Sequence, residues 1–162
     1  MGTTTIELFK ENMKFSAGHF TIFSETEREN LHGHNFNVYV SLTANILDNG
    51  MCFDYGIYKK RITELCKEWN EVFILPTKSK YLKIEEDENY IYAIFSNEKI
   101  PFLKRDVLLL PIVNATLEDF SSLMLEKLTY DKKEIQAFEI KEIVVKIFSG
   151  AGQCASSFWK KD

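Results

Sequence analysis

The chain has 162 residues, which is enough to build one domain around a proper hydrophobic core but too few for two. Hydrophobic residues make up 45% of the sequence and charged residues 27%, a balance that excludes a wholly disordered chain. The net charge of −4 argues against a sequence-independent nucleic-acid binder, which needs a basic face. No apolar run approaches the roughly 18 residues that a membrane-spanning helix requires. We therefore expect neither a nucleic-acid partner nor a membrane partner.

The N-terminal residues and the cysteines bear on the cellular compartment. Residues 1–7 contain neither a basic segment nor an apolar stretch, and we expect no secretory signal. The three cysteines, Cys52, Cys66 and Cys154, are odd in number and widely spaced, and they form no Cys-x-x-Cys pair. Such usage is unlike a disulfide framework and predicts a reducing, cytoplasmic location.

Two segments near the start of the chain predict strands. In residues 13–19 and 32–42, every second side chain falls on one face, and each of these faces is largely apolar. A period of two is typical of a β-strand with one buried face. The polar stretch between them, residues 21–31, is short enough to join two antiparallel strands. We therefore predict an antiparallel pair in which the faces carrying His19 and His32 meet.

Further along the chain, the hydrophobic spacing changes to that of a helix. Residues 55–73 carry apolar side chains three or four positions apart, which predicts an amphipathic helix. A second helix is predicted from Thr116, a suitable N-cap that is followed by acidic residues in the first turn. Strand alternation returns at residues 143–149, and residues 154–159 form the last predicted strand.

Between the two predicted helices lies a segment of different character, residues 75–113. It contains all three prolines, an acidic run at residues 85–88 and several β-prone stretches, and it predicts an extra hairpin. We interpret it as an excursion from a single domain that spans residues 1–162. The order of the remaining elements predicts an α+β domain with two helices on one face of an antiparallel sheet.

The three histidines of the chain, His19, His32 and His34, lie within sixteen residues of one another. Residues two apart on a strand point the same way, with Cα atoms about 6.5–7 Å apart, so His32 and His34 can reach one ion. Antiparallel pairing would bring His19 opposite them. Three imidazoles with an open fourth position are typical of catalytic zinc, although ligand type leaves nickel and iron open. The alternative is a set of core histidines with satisfied hydrogen bonds, but burying three unmatched imidazoles would be costly.

Two of the histidine-containing motifs carry a resemblance to a known family. Phe-Ser-Ala-Gly-His at residues 15–19, followed by Leu-His-Gly-His-Asn-Phe at residues 31–36, resembles the zinc signature of the 6-pyruvoyl-tetrahydropterin synthase and 6-carboxytetrahydropterin synthase family. Weaker similarity continues at residues 49–55, before the first predicted helix, and at the Thr-Leu-Glu of residues 116–118. The resemblance covers most of the chain apart from about residues 75–113.

The resemblance implies a tunnelling fold, in which a four-stranded antiparallel sheet with two helices on one face joins other subunits in an oligomeric barrel. It implies a homo-oligomer, expected to be a hexamer, with active sites at subunit interfaces. Such a barrel would also cover the sheet edges that a lone subunit exposes. The implied substrate is dihydroneopterin triphosphate or a related pterin. The implied cofactor is Zn²⁺ on His19, His32 and His34, which would acidify positions beside the bound substrate oxygens.

Three positions depart from the family pattern. Arg28 stands where the family most often has its proton-abstracting cysteine, and Thr26 stands at the more distant alternative position. The family's Leu-Asp-His triplet late in the first helix corresponds to Leu-Cys-Lys at residues 65–67, so the relay histidine is absent. Ser149 stands where a glutamate binds the pterin ring, and its hydroxyl offers one neutral hydrogen bond in place of two charge-assisted ones. We therefore expect weaker pterin binding or a different ligand.

Two glutamates are candidates to replace the missing cysteine as general base. Some family members use a glutamate there, and Glu27 and Glu29 flank Arg28 in the same loop. Either can act as a base if burial or a nearby metal ion tunes its pKa. The alternative is that residues 25–29 form only a solvated charged turn.

Three further residues are candidates for contact with the substrate. Ser149 extends the alternation of the preceding strand and should face the same pocket. Arg28 is suited to a phosphate or carboxylate because its guanidinium can form two parallel hydrogen bonds, or it is a plain surface charge. Glu118 is a candidate ligand contact, or it only favours the start of the second helix.

The sequence thus supports functions from different classes. The leading hypothesis is a zinc-dependent pterin lyase of the 6-pyruvoyl-tetrahydropterin synthase type. The alternative is a zinc-containing, catalytically degenerate protein that binds a pterin-like small molecule, which the missing cysteine, histidine and glutamate favour. A third hypothesis is an enzyme for a different small molecule, with Ser149 and Arg28 as new ligand contacts.

Overall fold

The computed structural model describes residues 2–162, which form ten strands and three α-helices, numbered here in chain order. The strands are β1 (Thr3–Leu8), β2 (Lys14–His19), β3 (His32–Asn45), β4 (Val72–Pro76), β5 (Leu82–Glu86), β6 (Tyr90–Phe95), β7 (Glu98–Leu103), β8 (Val107–Leu110), β9 (Ile140–Phe148) and β10 (Cys154–Lys160). The helices are α1 (Gly56–Glu68), α2 (Leu117–Leu128) and α3 (Lys132–Ala137). Among residues 2–162, none of the helices has the length and apolar composition needed to cross a membrane. The predicted α+β class is confirmed.

The main sheet follows the order β10-β9-β3-β2-β4-β8, and β1 pairs along the second half of β3. Strands β10, β9, β3 and β2 are antiparallel neighbours. β4 pairs in parallel with β2, and β8 pairs in parallel with β4. The predicted four-stranded antiparallel sheet is therefore only the centre of a larger, mixed sheet. β4 is missing from the prediction because its first residues continue the apolar spacing of the predicted helix, and β8, a predicted β-prone stretch of the excursion, was not expected to join this sheet.

The first helix is shorter than its apolar spacing indicates, since it ends at Glu68 and not near residue 73. The side-chain oxygen of Asn70 accepts a hydrogen bond from Ser16 N at 2.8 Å, and Glu71 N donates to Ser16 O at 2.6 Å. Glu71 has a φ of 56°, in the left-handed region that a right-handed helix does not use. The prediction of a longer helix is wrong because the chain leaves α1 to pair with β2 as β4.

One face of the main sheet encloses the larger hydrophobic core together with α1 and α2. Alternate residues of β3 and β9 are buried there, as the period of two predicts. The helices contribute Tyr58, Ile62, Phe120 and Met124, all buried in the same cluster. Full burial of such a side chain contributes about 1.5–3 kcal/mol, so this core fixes α2 against the strands. Thr116 caps α2 as predicted, with its Oγ1 accepting a hydrogen bond from the backbone N–H three residues later.

The excursion forms a second, smaller sheet and not a single hairpin. Strands β5, β6 and β7 are antiparallel neighbours in that order. β7 contains Pro101, which is tolerated because an edge strand can lack one N–H donor. The sheet packs against the segment that follows β2, and together they bury a second apolar cluster made of Phe20, Ile22, Leu75, Leu82, Ile91, Ala93 and Phe95. The excursion is therefore attached to the loop that carries the predicted catalytic residues.

Candidate metal and substrate site

The three histidines meet because of the register between β2 and β3. His19 lies directly opposite His32, and Ala17 lies opposite His34. His19 ends β2, and the other two histidines start β3 on one face of the strand. Only 6% of His19 is exposed, whereas His32 and His34 are partly buried. The convergence that the sequence predicted is therefore present.

The ring nitrogens of the three histidines are oriented as metal ligands are. One ligand atom from each ring lies within 4.8 Å of the others, and the Nε2 atoms of His32 and His34 are 3.0 Å apart. His19 Nδ1 lies 2.6 Å from the carbonyl of Ala115, and His32 Nδ1 lies 2.7 Å from the carbonyl of Asn30. Because a carbonyl can only accept, each Nδ1 carries the proton and leaves the Nε2 lone pair free.

His19 gives the strongest sign that the cluster fits an ion. Its Nε2 atom is buried and has no hydrogen-bond partner within residues 2–162. Burial lowers the pKa of His19 below its usual value, and the nearby His32 and His34 rings lower it further, against the opposing effect of the Ala115 carbonyl. The neutral form that is thereby favoured is the form that binds a metal. The set of three imidazoles can hold one divalent cation and leave further coordination positions open.

A cavity of about 380 Å³ opens beside the histidines, a size suited to a small molecule. His19, His34 and Glu29 form part of its wall. The start of α2 and the turn between β9 and β10 supply the rest, including Thr116, Glu118, Ser149, Gln153 and Cys154. Three candidates from the sequence, Glu29, Glu118 and Ser149, are thus brought together with the histidine cluster.

Glu29 is held firmly at the edge of the cluster. Its Oε1 accepts a hydrogen bond from Thr21 N at 2.8 Å, and its Oε2 lies 3.9 Å from His32 Nε2. Burial by itself raises the pKa of Glu29, but the hydrogen bonds from Thr21 and the electrostatic influence of the nearby His32 and His19 rings together lower it below the usual value. The carboxylate form is therefore the favoured one beside the metal-binding nitrogens.

The structure does not bring Arg28 or Glu27 into the cavity. The Arg28 guanidinium donates to both carboxylate oxygens of Glu98, with Nε–Oε1 and Nη2–Oε2 distances of 3.1 and 3.0 Å. Glu27 is exposed on the loop surface. Residues 65–67, which correspond to the family's relay triplet, lie in α1, where Cys66 is buried in the larger hydrophobic core. This segment does not line the cavity either.

Among the cavity residues that were not proposed from the sequence, Gln153 and Thr21 form hydrogen bonds to the candidates Ser149 and Glu29. Gln153 Nε2 donates a hydrogen bond to Ser149 Oγ at 2.6 Å. This contact depends on the turn between β9 and β10, where Gly150 and Gly152 have φ values of 144° and 95° that other residues rarely adopt. In the sequence, the signal for this contact was the pair of glycines, because it marks a tight turn directly after Ser149.

Comparison with known proteins gives a consistent result. A protein of Methanocaldococcus jannaschii, provisionally named a 6-carboxy-5,6,7,8-tetrahydropterin synthase, is 29% identical over 144 residues, which cover 88% of each chain. The crystal structure of 6-pyruvoyl tetrahydropterin synthase from Plasmodium vivax superposes with a TM-score of 0.93 at 27% identity, covering 99% of this chain and 100% of that one. The Plasmodium falciparum enzyme gives the same values. Two further structures of the P. vivax enzyme carry alanine or cysteine in place of a glutamate described as a catalytic residue.

The sequence pattern of the 6-pyruvoyl tetrahydropterin synthase family matches residues 7–156. This match spans both histidine motifs, the excursion and the start of the last strand. Members of the family are lyases that act on pterins, use a metal ion and form oligomers. The sequence, the fold and the histidine cluster agree. The chain belongs to the 6-pyruvoyl tetrahydropterin synthase family of pterin-metabolising enzymes.

Proposed function

We propose that this protein is a zinc-dependent lyase that acts on dihydroneopterin triphosphate or a closely related pterin. The observation that carries the proposal is the convergence of His19, His32 and His34 beside a cavity whose wall includes two of these histidines and the carboxylate of Glu29. Zinc is the ion of choice because neutral imidazoles suit it and because a site with three protein ligands leaves a position for substrate. When bound, zinc would polarise substrate oxygens and make the neighbouring C–H bonds more acidic.

We assign the role of general base to Glu29. Its Oε2 is turned towards the histidine cluster, whereas its Oε1 is held by the Thr21 N–H. A carboxylate fixed in this way can take a proton from a carbon of the substrate side chain, so that a C–H bond breaks and an O–H bond forms. The catalytic glutamate of the P. vivax enzyme supports a glutamate in this role. Glu27 is the weaker candidate because its side chain is exposed and does not line the cavity.

Ser149 and Glu118 are proposed to orient the ring of the substrate. Both line the cavity on the side formed by the β9–β10 turn and the start of α2. Because Gln153 Nε2 donates to Ser149 Oγ, the Ser149 hydroxyl proton is free to be donated to an acceptor on the ligand. Arg28 is not included among the substrate contacts, since its guanidinium is bound to Glu98.

The assembly is proposed to be a homohexamer with active sites at the subunit interfaces, in the cytoplasm. The main sheet ends in open edges at β8 and β10, and β10 exposes Phe158 to 68%. Exposed strand edges with apolar side chains are usually covered by pairing with another chain. If the sheets of neighbouring copies joined edge to edge, the open edges at β8 and β10 would both be covered.

Replacing Ser149 with glutamate is expected to tighten pterin binding by roughly ten- to a hundred-fold. A carboxylate can accept two charge-assisted hydrogen bonds, each about twice as strong as the neutral bond that a hydroxyl makes. The measurement is calorimetric titration with neopterin. Ser156→Glu is the matched control, because Ser156 is an exposed residue of β10 that does not line the cavity. A dissociation constant that is unchanged or larger in Ser149→Glu would contradict the placement of Ser149 against the ring.

The proposed activity is tested by incubating the zinc-loaded protein with dihydroneopterin triphosphate and following triphosphate release and the pterin products. We expect catalytic release of product. Ligand-induced stabilisation without turnover would instead establish the binding-protein alternative. If the protein shows neither turnover nor ligand-induced stabilisation, dihydroneopterin triphosphate is excluded both as its substrate and as its ligand.

A further inference from the structure

We propose that Arg28 and Glu98 are positioning residues that hold the loop between β2 and β3 so that Glu29 keeps its place in the cavity. This inference rests on the proposed function of Glu29. Glu98 starts β7 and lies 70 residues along the chain from Arg28. The small sheet of β5, β6 and β7 contributes no residue to the cavity wall, and it acts on the site through this pair.

The ion pair between Arg28 and Glu98 has the geometry of a rigid contact. Two nitrogens of the guanidinium donate to two carboxylate oxygens at 3.1 and 3.0 Å. The Arg28 side chain is only 14% exposed, although that of Glu98 is 52% exposed. Most surface ion pairs contribute little, but a two-pronged arginine–carboxylate pair with a largely buried arginine defines a direction as well as a distance.

Two aromatic rings, one from the loop after β2 and one from the small sheet, hold the same guanidinium. Its central carbon lies 5.3 Å from the ring centroid of Phe20, which follows β2, and 5.9 Å from that of Phe95, which ends β6. Both rings are buried in the second apolar cluster. Arg28 is therefore fixed by the ion pair and by attraction to two rings that are themselves immobile.

The remaining nitrogen of Arg28 connects this arrangement to Glu29. Nη1 donates a hydrogen bond to the backbone carbonyl of Glu29 at 2.8 Å. The backbone N–H of Glu29 donates to Thr21 O at 2.9 Å, and its carboxylate accepts from Thr21 N. Glu29 is thus held at its carbonyl, its N–H and its side chain. Without Glu98, Arg28 keeps its contacts with the two rings but loses the ion pair that sets its direction, and the carbonyl contact that orients Glu29 is weakened.

The first test is Glu98→Gln in the zinc-loaded protein. A misplaced reacting group can lower a rate by up to about a hundred-fold, and for this partial loosening we expect kcat to fall about tenfold. KM and zinc content should stay within about twofold, because the metal ligands and the ring contacts are untouched. Glu85→Gln is the matched control, since it removes a carboxylate that pairs with Lys83 at 2.9 Å in the same small sheet. We expect its kcat to be unchanged.

Combining variants separates positioning from general stability. If Glu98 acts through Glu29, Glu98→Gln should lower kcat no further in a protein that already carries Glu29→Gln. A purely structural role for Glu98 would lower kcat by the same factor in both backgrounds and would overturn the proposal. If Glu29→Gln slows turnover and Glu98→Gln does not, the positioning role is likewise excluded, whereas the catalytic role of Glu29 stands.

Amide hydrogen exchange tests the proposal independently of turnover. The backbone N–H groups of Glu29 and Thr21 are both hydrogen bonded within the loop. Glu98→Gln should raise their exchange rates several-fold, because loosening of Arg28 permits local opening of these bonds. Glu85→Gln should leave the rates unchanged. Unchanged exchange at both amides in Glu98→Gln would overturn the proposal whatever the activity of the protein.

Discussion

Replacement of Glu29 by glutamine is expected to lower kcat by roughly 10²–10⁴-fold, the usual contribution of a positioned acid–base group. The amide keeps the size of the side chain and an oxygen that can accept from Thr21 N–H, so the loop should keep its conformation. KM should change little, because Glu29 is proposed to act on a proton in the transition state and not to bind the substrate. The measurement is steady-state formation of pterin product by the zinc-loaded enzyme.

Two neighbouring glutamates make this experiment specific. Glu25→Gln is the matched control, since Glu25 is exposed in the same loop and lies outside the cavity. Glu27→Gln is the discriminating variant, and it should retain nearly full activity. A large loss in Glu27→Gln with none in Glu29→Gln would contradict our assignment, and unimpaired turnover in both would exclude a glutamate base altogether.

The second large effect is expected for His19→Ala, which should lose zinc and turn over no detectable substrate. Loss of a residue that only supports a metal ligand weakens metal binding by about 10–100-fold, and loss of the ligand itself should exceed this. His19 is the informative position because its Nε2 is buried and has no hydrogen-bond partner among residues 2–162, so a bound ion would give that atom a partner.

Thermal unfolding with and without a chelator measures this effect separately from activity. An ion that binds only the folded state raises its stability, so chelation should lower the melting temperature of the native sequence. The melting temperature of His19→Ala should not respond to the chelator. An equal response in the two proteins, or full turnover by His19→Ala, would contradict the ligand assignment.

The histidine cluster could be predicted from the sequence because it depends on a local rule. Alternation placed His32 and His34 on one face, and the polar loop between two strands made antiparallel pairing the simplest connection. The register then had only to bring His19 opposite His32, as it does. The two longer helices could likewise be predicted, because each has one apolar face that is buried against the same core.

The parallel pairing of β4 and β8 was not predictable in this way, although residues 107–110 were recognised as β-prone. β4 and β8 are five and four residues long, and their residues are mostly apolar without alternation. Short apolar runs do not distinguish a buried strand from a piece of helix. The helical spacing of apolar residues in α1 continues without a break into β4. Only the hydrogen bonds of Ser16 to Asn70 and Glu71 show where the helix ends.

The sequence could not decide which loop residues face the cavity. Arg28 and Glu29 are adjacent, yet one is directed at Glu98 and the other at the histidines. That choice is set by an isolated β-bridge between Ile22 and Arg28 and by packing against the small sheet. The bridge lies within the loop itself, whereas the packing is a long-range contact with an excursion whose strands were only partly predicted.

Metal analysis of the purified protein is the decisive test of zinc binding by the three histidines. The protein is produced with zinc in the growth medium, and its metal content is measured beside that of a variant with alanine at His19, His32 and His34. We predict one zinc ion per chain in the first protein and essentially none in the second. A native protein that is free of zinc but fully active on the pterin, or equal zinc content in the two proteins, would contradict the account.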